Sequence, residues 1–283
     1  DGESFGPSEV MYYTHDYLDV PDAPLVRCHD AAYSAEQQRY HILLDDMSAS
    51  HEDATAQAPT LEFGLALAEA MATLHARWWG EQRLAEAGTP IHDPGFIRQY
   101  VAIAEPGLEH IIAGVGDRLE PHWPEMLRRL FRRQPQAIVD RTTDANGFTL
   151  IHGDPGVYNI LIPRTGHRPI YLLDRQPFNW SLTTWLGVYD LVYAMVLDWD
   201  SETRRALEIP ILKHYHESLI GHGVSNYVWD QLYDDYRLSI GTCVYIPVEY
   251  CRGGINHESM QYWLAMLQRS LTAIDDLGCD ELW

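Results

Sequence analysis

The 283-residue sequence is 46% hydrophobic and free of internal repeats and low-complexity tracts, which is enough to bury a large core and excludes a disordered chain. Its 41 acidic against 20 basic residues give a formal charge of −21, which argues against nucleic acid or an anionic membrane as partner, serves solubility, and weakly favours a cationic ligand. Cys28, Cys243, Cys251 and Cys279 lack C-x-x-C or His-rich spacing, and neither a signal-like start nor a run of eighteen apolar residues occurs, so the expectation is a cytoplasmic protein without zinc.

In chain order, residues 8 to 18 read as helix, and 24 to 33 and 39 to 44 as strands. Residues 52 to 59 form a polar connector, with Pro59 placed where a helix begins. The span 60 to 79 is strongly amphipathic and helical; its single His75 lies on the apolar face and reads as a satisfied core residue. Helix is also expected over 96 to 113 and 124 to 140, where Pro106, Gly107 and Pro135 should break or kink it. Arg128, Arg129, Arg132 and Arg133 have the spacing of a solvated helical face.

The most informative stretch is Ile151-His152-Gly153-Asp154-Pro155-Gly156-Val157-Tyr158-Asn159. Residues 148 to 152 and 160 to 163 are short apolar runs, which predicts strand, loop, strand. Pro155 pushes Asp154 towards extended backbone, so its carboxylate should project at the strand's end. A third run, 170 to 173, should pair with 160 to 163 as a hairpin and return Asp174 towards Asn159. An H-x-D-x-x-x-x-N loop of this kind supplies a carboxylate able to accept a proton from an attacking hydroxyl, and an amide oxygen able to face Mg²⁺. Mg²⁺ wants hard oxygens and takes only one or two protein groups in phosphoryl transfer; Asn159 and Asp174 meet that need. Beyond the hairpin the pattern is helical over about 187 to 198, 202 to 220, 226 to 246 and 257 to 275. Substrate identity should reside there. Acidic Asp198, Asp200, Asp234, Asp235 and Glu249 and aromatic Trp199, Tyr236, Tyr245 and Tyr250 are the candidates, with Asp200 also reading as a helix cap.

His-Gly-Asp-x-x-x-x-Asn, then Leu172-Leu173-Asp174, then Gly187-Val188-Tyr189-Asp190-Leu191-Val192-Tyr193 resembles the aminoglycoside phosphotransferase, choline kinase and ecdysteroid-kinase-like superfamily. His41 to Ser48 is similar to that family's hinge, Ala72 to Trp79 to the end of its following helix, and Ser8 to Tyr13 to its glutamate-bearing helix. The resemblance implies an α+β, protein-kinase-like two-lobe fold. Residues 1–46 would be an incomplete nucleotide-binding lobe ending at the hinge, and 47–283 a mostly helical catalytic and substrate-binding lobe. It implies an ATP- or GTP-dependent, Mg²⁺-requiring transfer to a hydroxyl of a small-molecule acceptor, which the net charge weakly favours as cationic. Asp154 would be the base, His152 the loop-orienting residue, and Asn159 and Asp174 the metal ligands. The backbone of Asp45 and Met47 would meet the nucleobase, Glu9 would be the partner of a phosphate-binding lysine, and Asp190 would support the loop from beneath.

Two positions depart from the family. The only lysine is Lys213, and no Gly-rich loop precedes Glu9, so a further N-terminal segment carrying both is expected. Arg175 stands where an aromatic is common, as a surface ion pair or a phosphate or substrate contact. Two other readings remain: a catalytically silent kinase-like binding or regulatory protein, and a metal-dependent hydrolase using His152, Asp154 and Asp174, for which the loop lacks a further ligand.

Overall fold

The computed structural model describes residues 7–175 and 182–283. It begins with a short helix α1 (Pro7–Met11) that widens into a π-helical turn over Tyr12–Asp16. The antiparallel hairpin β1 (Cys28–Ser34) and β2 (Arg39–Leu44) follows, later in its start than the strand expected from residue 24. With the hairpin and α1 on one side and a helical body on the other, the protein has the α+β, kinase-like two-lobe fold expected from its motifs.

Some elements among the described residues were not legible in the sequence. The connector after the hinge opens with a strand, β3 (His51–Asp53), because Glu52 and Asp53 are set by pairing rather than by apolar alternation. A short helix, α3 (Glu81–Glu86), follows α2 (Leu61–Arg77). In α2 the Thr60 side chain caps the Phe63 N–H at 3.2 Å, and Leu67, Ala68, Met71, Ala72, Leu74 and His75 fall on one buried stripe. That stripe packs along α7 (Ser201–Gly221); burial of a residue such as Leu67 or Met71 contributes about 1.5–3 kcal/mol.

The prolines do not break their helices. α4 (Pro94–Val115) runs through Pro106, and α5 (Trp123–Arg141) runs through Pro135. Pro106 lies on an exposed face, and the carbonyl it strands belongs to exposed Ala102, so water can satisfy what the ring removes. The same holds for Pro210 in α7, whose stranded carbonyl belongs to exposed Ala206. The arginine-rich face of α5 is solvated, with Arg128 on Glu109 at 3.0 Å and Arg132 on Glu125 at 2.9 Å.

Between the lobes, β4 (Phe148–Leu150) leads into the His152 loop, and β5 (Ile160–Pro163) and β6 (Tyr171–Leu172) form the expected antiparallel hairpin, with Ile160 opposite Leu172. β5 also pairs with β3, while β4 pairs with β7 (Thr184–Leu186). The chain then forms α6 (Val188–Val192), a π-helical turn Tyr193–Asp198, α7, α8 (Trp229–Cys243), α9 (Tyr245–Glu249) and α10 (Met260–Leu277). The four helical spans read after the hairpin are therefore present, the third divided into α8 and α9. Among the described residues no helix is long and apolar enough to cross a membrane.

Arg175 overturns its expected surface position. It is only 4% exposed and donates from Nη1 to Asp16 Oδ2 at 2.6 Å and from Nε to the Ile151 carbonyl at 3.2 Å. The same N-terminal turn receives Trp78 Nε1 on the Asp16 carbonyl at 2.9 Å, and the Pro24 carbonyl receives the Leu172 N–H at 2.8 Å. Arg175 thus fastens the first segment to the strand that leads into the His152 loop. Replacing it with Met should strand the buried Asp16 carboxylate and cost about 3–5 kcal/mol in urea unfolding, and adding Asp16→Leu should recover much of that loss.

Candidate active site

The loop after β4 is built on Asp190. This residue of α6 is fully buried, and its carboxylate accepts the His152 N–H at 2.7 Å, the Gly153 N–H at 2.9 Å and His75 Nε2–H at 3.0 Å. Burial alone would raise its pKa; the bonds from His75 and the Gly153 amide win, and hold it below the usual carboxylate value. Gly153 adopts φ +86°, which lets two successive amides turn onto one carboxylate. His75 is the satisfied core residue the sequence suggested, but it sits under the loop. Tyr215, whose phenol pKa burial drives well above normal, donates its O–H to His75 Nδ1 at 2.8 Å, leaving the proton on Nε2 to meet Asp190. Gly187 makes room for this pair, because a Cβ there would lie 2.6 Å from the Tyr215 hydroxyl and 3.1 Å from His75 Nδ1.

His152 spans the loop to the returning strand. Its Nε2–H donates to the Leu173 carbonyl at 2.7 Å, which leaves Nδ1 facing the Asp154 N–H at 3.4 Å. Burial lowers its pKa to about 4, so the ring is neutral at physiological pH. It is placed as a fixed brace beside Asp154.

Asp154 itself is largely buried. Burial, opposed by a hydrogen bond from Tyr193 and reinforced by the charges of Asp174, Asp198 and Asp190, pushes its carboxyl up to about 6. Asn159 points its amide nitrogen back at this residue, donating to the Asp154 carbonyl at 2.9 Å and more weakly to Oδ2 at 3.4 Å. That commits Nδ2 and orients Oδ1 as the remaining donor for a cation. The Leu173 N–H bonds the Asn159 carbonyl at 2.8 Å, so the next residue, Asp174, is delivered beside the loop as the hairpin spacing required. Asp174 has φ +56°, an uncommon conformation for a non-glycine residue, and burial raises its pKa.

The N-terminal candidates converge from the other side. Glu9 faces Asp174: its own burial and then the Asp174 charge raise its carboxyl to about 7. The one lysine, Lys213, lies instead with Nζ 5.9 Å from the Trp229 ring centre. At the hinge, Asp45 N–H donates to the Arg27 carbonyl at 3.0 Å and the Met47 carbonyl accepts from Ser50 and His51 at 3.0 and 2.9 Å. The Asp45 carbonyl and the Met47 N–H remain without bonds among the described residues.

Of the residues proposed for an acceptor, few face the loop. Asp198 does, accepting the Val157 N–H at 2.9 Å, and burial raises its carboxyl to about 6 against the lowering effects of that bond and of Arg269. Tyr250, part-exposed, lies within the field of Asp154 and Glu249. Asp200 is the N-cap of α7, Asp234 pairs with Arg237 at 3.3 Å, and Asp235 is buried on Arg141 at 2.6 Å. Trp199, Tyr236 and Tyr245 are core. Tyr193 was missed, since a tyrosine on an apolar helical stripe gives no sign of the partner it will meet.

No family model matches the chain, and no curated protein matches it. Solved structures do. A glucosamine kinase superposes with a TM-score of 0.60 over 97% of this chain and 71% of its own, at 15% identity. A second structure, of glucosamine kinase in complex with glucosamine, ADP and inorganic phosphate, gives 0.61 over 97% and 69%, at 15% identity. A Plasmodium vivax ethanolamine kinase gives 0.54 over 89% and 68%, at 12% identity. At such identities the likeness establishes the shared fold.

The raised carboxyl of Asp154 has a stability consequence of definite sign. A folded-state pKa of about 6, above the ordinary 3.8, means that the group favours the folded state at low pH and loses that contribution as pH rises through 6. Asp154→Asn, which carries no charge, should therefore be more stable than the parent at pH 8 by at most about 3 kcal/mol, at about 1.4 kcal/mol per pH unit of displacement. Melting in metal-free buffer should show that advantage fading towards pH 4.

Proposed function

We propose that the protein is a phosphotransferase of the aminoglycoside phosphotransferase type, moving the terminal phosphoryl group of ATP or GTP onto a hydroxyl of a small molecule. The observation that carries this reading is the return of Asp174 to Asn159 while the Asn159 amide is tied back to Asp154, so a largely buried carboxylate and two hard oxygen donors share one loop. The donor set fits Mg²⁺: one carboxylate and one amide oxygen, with the remaining positions left to phosphate and water. When bound, the ion would neutralise charge on the nucleotide phosphates.

The chain's own groups would do the rest. Asp154 would orient the acceptor hydroxyl and take its proton, and a carboxyl near 6 is still mostly ionised at neutral pH while being a stronger base than free Asp. His152 would hold the loop, and Glu9 would stand on the nucleotide side of Asp174. The free Asp45 carbonyl and Met47 N–H, two residues apart, would meet the donor and acceptor of a nucleobase edge, with 1–46 as the nucleotide lobe and 47–283 carrying catalysis and substrate. Most of the acceleration would come from positioning. Asp198 and Tyr250 near Asp154 suit a cationic acceptor, and glucosamine and ethanolamine, named for the structural neighbours, each combine a hydroxyl with an amine.

A second reading, favoured by Lys213 lying over Trp229 and not among the charges acting on Glu9 or Asp174, is a kinase-like protein that binds without turnover. Nucleotide turnover against a panel of hydroxylated amines, sugars and antibiotics, with calorimetry of Mg-nucleotide binding, separates the two. Asp154→Ala should reduce turnover about 100- to 10,000-fold while nucleotide binding persists. Near-parental turnover by that variant would remove Asp154 from the chemistry, and absence of turnover across the panel favours the silent protein.

A further inference from the structure

Beyond Val192 the chain does not continue as an α-helix. From Tyr193 to Asp198 it widens into a π-turn, in which hydrogen bonds run from i to i+5. At about 100° per residue, an α-helix would point residues 193 and 198 roughly 140° apart. The wider turn brings residues five apart nearly onto one face, and here both meet the same loop. The Tyr193 side chain stands beside the Asp154 carboxylate, the ring of the one and Oδ1 of the other both flanking Gly156, and its hydroxyl acts on that carboxylate as a hydrogen-bond donor. Asp198 Oδ2 accepts the Val157 N–H at 2.9 Å, three residues further along. Gly156 lies between them: a Cβ there would stand 3.7 Å from Asp198 Oδ2, 3.7 Å from the Tyr193 ring and 4.0 Å from Asp154 Oδ1. On its far side the turn is held by Arg269 of α10, whose Nη1 donates to the Leu197 carbonyl at 2.6 Å and whose charge acts on Asp198.

We propose that this π-turn is the positioning device of the catalytic loop: Tyr193 aims the Asp154 carboxylate, Asp198 anchors the loop at Val157, and Arg269 braces the turn from α10. Asp190 fixes the start of the loop at residues 152 and 153, and the π-turn fixes its middle. A regular helix would turn Tyr193 and Asp198 further apart than the wider turn does, so the local widening and the two contacts belong together. None of the three residues is required to touch a substrate for this role.

The kinetic arm of the test rests on the phosphotransfer reading, and the exchange arm does not. In the first arm, hydrogen exchange of the 153–159 segment is followed by mass spectrometry on the full chain without substrate. Asp198→Ala should accelerate it about tenfold, the effect of losing one buried hydrogen bond, and Asp198→Asn, which keeps an acceptor oxygen, should restore most of the protection. Arg269→Gln, away from the loop, should accelerate it by a smaller factor. In the second arm, Tyr193→Phe should lower kcat about tenfold or more while KM for the nucleotide stays within about twofold and the melting temperature is kept. Unchanged exchange in folded Asp198→Ala, or a Tyr193→Phe kcat within about twofold of the parent, overturns the proposal. If the parent protein turns over no substrate, the phosphotransfer reading fails and the exchange arm alone decides the positioning role.

Discussion

The arrangement depends first on one buried carboxylate. Asp190 has no exposure and accepts three N–H groups, two from the loop backbone and one from His75. An unpaired charge at that depth would cost several kcal/mol, so the three donors are a condition of the fold as well as of the site. They also join elements far apart in sequence. His75 comes from α2, Tyr215 behind it from α7, Asp190 from α6, and the loop from the end of β4. The helical body and the loop therefore cannot shift independently, and the precision of Asp154 follows from core packing. Thr149 adds a further tie, donating its hydroxyl to the His75 carbonyl at 2.7 Å.

Legibility in the sequence followed the range of the forces involved. The β5–β6 hairpin was readable because apolar runs and a turn of polar, Gly and Pro residues are local signals, and the return of Asp174 followed from strand geometry. The α2 helix was readable for the same reason, with only the boundary moved by a residue or two; the Thr60 cap was not singled out. β3 was not readable, because three polar or half-buried residues form a strand only when β5 is already beside them. Arg175 was misplaced because an arginine carries no local mark of burial; its partner, Asp16, lies 159 residues away. The division of the acceptor candidates is similar in kind. Asp200 announced itself as a cap through the Ser and Glu that follow it, whereas Asp198, two residues earlier, owes its position at the loop to a π-turn that composition does not encode.

The site's charges impose a constraint on any ligand. Asp154, Asp198 and Glu9 all have carboxyls raised to about 6 or 7, and Asp174 is raised as well; in each case burial is the larger cause, and for Asp154 and Glu9 neighbouring carboxylates add to it. Ionising them costs free energy that a nearby positive charge recovers. Arg269 acts on Asp198, but Arg175, the buried arginine nearest in sequence to Asp174, is already committed to Asp16. A polyphosphate brought alone to such a surface would meet repulsion, and the interior dielectric makes that repulsion stronger than in water. On the proposed reading, a cation must therefore accompany the phosphate, and the more closely the acidic groups are held, the greater the gain when that cation binds. The rigidity supplied by Asp190 and the affinity for the metal ion would on that reading be one property: the fold holds like charges together, and the cation would relieve them.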